Sequence, residues 1–231
     1  MMAKKAISLL IVCFLLLTGC SDSQADPSKN DVSADNNLSA ATDIGQSEDV
    51  RTIVPLPDTA MENMTDAVLS VSLEEGDAYV DDNGRMQMDL TIYAYDQYDM
   101  VDIANLKVGD TIVRHNGEIK VISLEQDETG RIFINGGLDN GGFELVTDAC
   151  GIFYETGYND HKSWYPVGAA TIRVSADFIG RDCADLDLGE VIIYPGDFLI
   201  GAVTNYDFTP YNTTIRIEDG QIVEMNRRYI P

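Results

Sequence analysis

Apolar and polar residues fall into three regimes along the chain. Ala6 to Leu17 is a run of 12 residues, apolar apart from Ser8. Residues 21–50 follow with no aromatic residue, six serines and seven acidic residues against a single lysine. From Arg51 onward the dominant period is two. Leu69, Val71 and Leu73 alternate with Ser70 and Ser72, and Met86, Met88, Leu90, Ile92 and Ala94 alternate with Gln87, Asp89, Thr91, Tyr93 and Tyr95. Side chains of a strand point alternately to opposite faces, so this pattern predicts half-buried strands rather than helices.

Turn chemistry punctuates the same region. Asp82-Asn83-Gly84, Asn116-Gly117 and Asp219-Gly220 each separate two candidate strands, and such pairs supply the positive φ that tight hairpins need. Thr129-Gly130, Pro195-Gly196 and the glycine-rich stretch 135–142 mark further turns. About ten short strands at roughly 8–12-residue spacing predict an all-β, mainly antiparallel fold, either a sandwich or small barrel-like lobes, with little helix beyond the N-terminal run. Asp58 is placed to cap one short helix through Met61 and Met64. Residues 51–231 read as one domain, with a division into two lobes expected near 147–150. Ile215, Ile217, Ile222, Val223 and Ile230 predict that the C-terminal hairpin joins the sheet. The stretch Leu106-Lys107-Val108-Gly109-Asp110-Thr111-Ile112 resembles the entry strand of SH3-like and intein-type barrels, where a Gly-Asp turn feeds a strand; inteins' catalytic residues have no counterpart here.

The N-terminal run is too short to span a bilayer. Twelve helical residues reach about 18 Å, against a hydrocarbon core of roughly 30 Å. Preceded by Lys4 and Lys5, it has the proportions of a signal-peptide core. Leu17-Thr18-Gly19-Cys20, which closes it, resembles the lipobox of bacterial lipoproteins. The resemblance implies lipid transfer to the Cys20 sulfur and cleavage between Gly19 and Cys20. Two acyl chains give durable anchoring where one does not. Expected segments are a signal peptide over 1–19, an acylated Cys20 with a disordered acidic linker over 20–50, and an extracytoplasmic β domain over 51–231. The membrane, reached through the lipid, is then the first expected partner.

Composition narrows the rest. The chain has 39 acidic residues against 15 Lys and Arg, a formal net charge of −24. Nucleic-acid binding needs a basic surface, so that partner class is excluded. With Cys13 removed and Cys20 acylated, Cys150 and Cys183 allow one disulfide outside the cytoplasm, or two separate thiols. Asp182, Asp185, Asp187 and Glu190 offer oxygen ligands that suit calcium, although they complete no EF-hand, and a solvated acidic loop is the ordinary alternative. No other cofactor is suggested. No G-x-S-x-G elbow, H-E-x-x-H, P-loop or dinucleotide fingerprint occurs. His115 precedes a hairpin tip and is expected to be solvated.

Aromatic residues give the binding hint. Tyr158, His161, Trp164 and Tyr165 share a polar loop, and Tyr93 and Tyr95 fall on the polar face of their strand. Flat rings beside carboxylates and amides grip sugar faces or peptide side chains. The expected function is a membrane-anchored, non-catalytic binding module at the cell envelope, with a glycan, peptide or envelope protein as ligand. A carboxylate-dependent hydrolase of envelope or dietary polymers and a structural assembly protein are the alternatives.

Overall fold

The computed structural model describes residues 49–157, 161–203 and 205–230. The expected signal peptide, the expected lipidation site Cys20 and the expected linker as far as residue 48 lie outside them. The chain opens with β1 (Thr52–Ile53), β2 (Ala67–Ser72), β3 (Ala78–Val80) and β4 (Met86–Ala94). Then come β5 (Gln97–Tyr98), α1 (Met100–Ala104), β6 (Thr111–Arg114), β7 (Gly117–Lys120), β8 (Leu124–Gln126) and β9 (Ile132–Ile134). A 3-10 turn, Leu138–Asn140, leads to β10 (Phe143–Thr147) and β11 (Phe153–Thr156). Last are β12 (Tyr165–Cys183), β13 (Val191–Ile193), α2 (Pro195–Leu199), β14 (Thr213–Glu218) and β15 (Gln221–Arg228). The chain is all-β, as the alternation predicts.

Five of these strands close into a ring. β2 pairs with β4, β4 with β12, β12 with β15, β15 with β14, and β14 with β2 again. Every contact is antiparallel except β12 with β15. Closure removes the unpaired edges an open sheet would leave. The 19 residues of β12 make the ring possible: residues 165–173 hydrogen-bond β4 and residues 173–183 run beside β15, with register shifts after Pro166 and Val174. Such irregularities bend a strand and raise its twist. Met88, Leu90 and Ile92 of β4 meet Ile172, Ile215, Ile217, Ile222 and Met225 in the barrel core. Val223, on the opposite face of β15, is half-buried.

A second lobe is inserted between β4 and β12, with β1, which precedes β2, joined to it. One antiparallel sheet runs in the order β5-β11-β10-β9-β8, and a small sheet runs β1-β6-β7 with β1 parallel to β6. Ile53 and Ile112 of the small sheet pack with Tyr98, Ile134, Phe143, Leu145 and Phe153 of the larger. The lobes are therefore nested. Positions 147–150, where a boundary was expected, are instead the tip of the β10–β11 hairpin, and Leu145 and Phe153 on its two sides share one core. A composition shift cannot reveal an insertion, because both lobes use the same strand chemistry.

Asp110 ties β1 to this lobe. Its side chain is fully buried and accepts from the backbone N–H of Arg51 (2.9 Å) and Lys107 (3.1 Å) and from the Arg51 guanidinium (3.1 Å). Burial alone would raise this carboxyl; the donors outweigh it and hold it below the usual range. The Gly-Asp turn noted in the sequence thus ends in a buried polar anchor. Asp58 starts no helix: its Oδ1 accepts from the Ala60 N–H at 2.9 Å, closing a local turn.

Candidate functional site

Two constellations stand at the neck where the inserted lobe joins the barrel. The first is built around the buried carboxylates of Asp96 and Glu155. Asp96, directly after β4, takes the His115 N–H and His115 Nδ1 on Oδ2, both at 2.9 Å, and the Tyr165 hydroxyl on Oδ1 at 3.2 Å. A carboxylate beside Nδ1 draws a ring proton to that nitrogen, so Nδ1 donates to Asp96. The imidazole stacks on the Tyr165 ring, centroids 4.0 Å apart. Burial and the Asp96 charge push the Tyr165 hydroxyl up to about 12. Beside this group Arg114 donates to Glu155 from Nε (2.6 Å) and Nη2, and the guanidinium lies over the Phe143 ring. Burial, then the charges of Asp96 and Glu155, raise the Tyr98 hydroxyl strongly. Tyr98 donates to the Val113 carbonyl at 3.0 Å. These partners satisfy one another, and a buried network so satisfied fixes geometry.

The second constellation is open. A groove of about 360 Å3 runs where the ends of β2 and β4 meet the segment before β2, lined by Asp58, Asp66, Ser70, Tyr93, Tyr95 and Trp164 among others. Tyr95 stands edge-on to Trp164 (centroids 4.8 Å) and to Tyr154 (5.9 Å). The Lys162 ammonium sits against all three rings, 3.7 Å from the Tyr95 centroid, 5.3 Å from Tyr154 and 5.6 Å from Trp164. Local parity and one tight turn build this arrangement. Tyr93 and Tyr95 take the side of β4 and its continuation opposite the core, and Tyr154 points away from the Phe153 and Glu155 side of β11. A tight turn closed by the Trp164 N–H on the Lys162 carbonyl (3.0 Å) brings Lys162 and Trp164 together.

Comparison with protein-family models, with curated proteins and with solved structures finds no match. The site is therefore read from its own geometry.

The aromatic loop singled out in the sequence is divided among three environments. Trp164 lines the groove, whereas Tyr165 is held by Asp96 and His115. His161 faces Tyr211 (centroids 5.8 Å) and lines a separate cavity of about 460 Å3 with Asn212 and Ile230. Tyr158 lies outside the described residues. His115 is exposed at its hairpin tip as expected, but its ring is engaged by Asp96 and Tyr165 rather than left to solvent alone. Tyr154, Lys162 and Asp96 were not singled out; Lys162 reaches the rings through a turn with no strand periodicity, and the approach of Tyr154 depends on how the inserted lobe folds back.

Cys150 and Cys183 are free thiols. Cys150 is in the β10–β11 turn of the inserted lobe and Cys183 ends β12 of the barrel, so the disulfide that the cysteine count allowed does not form here. The calcium candidates are engaged separately. Asp182 receives the Arg227 guanidinium, 2.9 Å at Nε, and these donors hold its carboxyl below the usual range despite burial. Asp185 accepts from the Asp187 N–H (2.8 Å), and Glu190 pairs with Arg181 (3.1 Å). Among the described residues no group of three or more His, Cys, Asp or Glu is placed to hold a metal, and no helix is long and apolar enough to cross a membrane.

Proposed function

We propose that this chain is a lipid-anchored extracytoplasmic binding module without a catalytic role, and that the groove at the neck takes its ligand. The observation that carries the binding half is the groove itself: Tyr93, Tyr95 and Trp164 beside the carboxylates of Asp58 and Asp66. Apolar ring faces with a few polar groups at the rim are the usual furniture of a recognition site. The network behind it supports this reading, because it fixes Tyr165 at the start of β12, next to Trp164. The anchoring half rests on Leu17-Thr18-Gly19-Cys20.

Two measurements test the halves. Mass spectrometry of protein taken from membranes should find Cys20 as an acylated N-terminus, and Cys20→Ser should release the protein into the soluble fraction; an unacylated chain with residues 1–19 intact rejects the anchor. Screening of envelope glycans and short peptides by Trp164 fluorescence should find a ligand whose signal Tyr93→Ala abolishes. A ligand bound equally well by that variant places recognition elsewhere.

A further inference from the structure

We infer that the cage formed by Tyr95, Tyr154 and Trp164 is a receptor for the lysine side chain of a peptide ligand, and that Lys162 closes it in the unliganded protein. This deepens the binding reading above and rests on it. An ammonium group within about 6 Å of several ring centroids is attracted by their quadrupoles, an interaction that strengthens as water is excluded. Lys162 meets that condition three times over.

The charge arrangement points from an internal contact to an exchangeable one. The chain carries 39 acidic residues, yet among the described residues the Lys162 ammonium makes no ion pair with any of them. Conversely Asp58 and Asp66, which line the adjoining groove, have no cationic partner among the described residues; Asp58 accepts from the Ala60 N–H and Asp66 from the Asp219 N–H. A cation therefore sits on the rings without a carboxylate, while two carboxylates next to the same rings lack a cation. A lysine arriving on a peptide would find the ring faces Lys162 now uses, and the rest of that peptide, lying along the groove, would meet these carboxylates. The resident side chain is half-buried and leaves by rotation about its own single bonds, regaining hydration outside. A chain of net charge −24 attracts basic peptides at long range.

Trp164 is the chain's only tryptophan, so its fluorescence reports directly on the cage. The probes are a short peptide with a central lysine, the same peptide with norleucine, choline, and a neutral oligosaccharide, titrated into the intact chain and into Lys162→Ala. The lysine peptide should bind Lys162→Ala roughly tenfold more tightly than the intact chain, the loss of one competing cation–ring contact. The norleucine peptide should bind neither form measurably, and Tyr95→Leu added to Lys162→Ala should abolish the signal. Lys162→Gln serves if Lys162→Ala fails to fold. Equal binding of the lysine and norleucine peptides overturns the inference, as does binding of choline without the lysine peptide. A response to the oligosaccharide alone overturns the lysine assignment and leaves the groove standing; silence towards every probe overturns both.

Discussion

His115 and Asp96 are 19 residues apart, yet the carboxylate takes both the backbone N–H and Nδ1 of that histidine at 2.9 Å. The contact pins the β6–β7 turn of the inserted lobe to the end of barrel strand β4. Asp96 is 2% exposed, so losing a donor leaves a buried carboxylate short of partners. His115→Ala should cost about 1–3 kcal/mol and Tyr165→Phe about 1 kcal/mol in urea unfolding. Because both donors serve one carboxylate, the double variant should depart from additivity by at least about 0.5 kcal/mol. Strict additivity would mean that the two act independently.

Acid should unfold the protein through Asp110 and Asp182. Both have folded-state values below the ordinary 3.8. A depressed folded value means the unfolded chain takes up the proton first. Their stabilisation is thus complete above about pH 4 and is lost as pH falls through that value toward the folded ones. Asp81 extends the window: the backbone N–H of Arg85, with Gln87 and the Asn83 N–H, lowers it to about 2. Melting temperature followed from pH 6 to pH 2.5 should fall below pH 4, and Asp110→Asn should be less stable at pH 6 yet show a shallower decline. A variant as steep as the parent would remove Asp110 from this account.

Gly142 should tolerate no side chain. A Cβ there would stand 1.9 Å from the Ile134 carbonyl oxygen, a backbone atom that cannot move aside without breaking the β9–β10 pairing. Gly142→Ala should destabilise by about 3 kcal/mol, at the upper end for overpacking. Thermal unfolding within a degree or two of the parent would show that the hairpin yields.

Burial should separate two isoleucines. Ile92 is 0% exposed inside the barrel and Ile122 is 71% exposed on the inserted lobe. Ile92→Ala should cost about 2–5 kcal/mol by the loss of buried methyl groups and the cavity left behind. Ile122→Ala should stay within about 0.5 kcal/mol. Denaturant midpoints of the pair test whether the ring interior is the main store of stability.

Strand β4 was legible because its alternation runs unbroken from Met86 to Ala94 and matches the observed strand end for end. The hairpins at Asn83-Gly84 and Asp219-Gly220 were legible through positive φ, which Gly84, Asp219 and Gly220 adopt. Ring closure was not, because nothing local says that β12 will bond β4 along one part and β15 along another. Parallel pairing and register come from long-range packing. The site was half legible for the same reason. Strand parity pointed to Tyr93 and Tyr95 and the clustering of aromatics in one loop pointed to Trp164, but Tyr154 meets Tyr95, and His115 meets Asp96, only through the folding of the inserted lobe. The count of cysteines could not tell that Cys150 and Cys183 would fall in separate lobes.

Ala94 lies opposite Tyr165 in the β4–β12 ladder, so the guest lobe leaves and re-enters its host on neighbouring strands. Lengthening a loop whose ends already touch adds only a logarithmic entropy penalty. The neck is in that sense a socket: the host can carry a differently built guest, or a tight hairpin, at little cost to its own ring. Exchange of the part of the guest beyond Tyr95 and Trp164 would leave those two rings in place while replacing Tyr154, the wall that the guest contributes, so specificity changes without rebuilding the host.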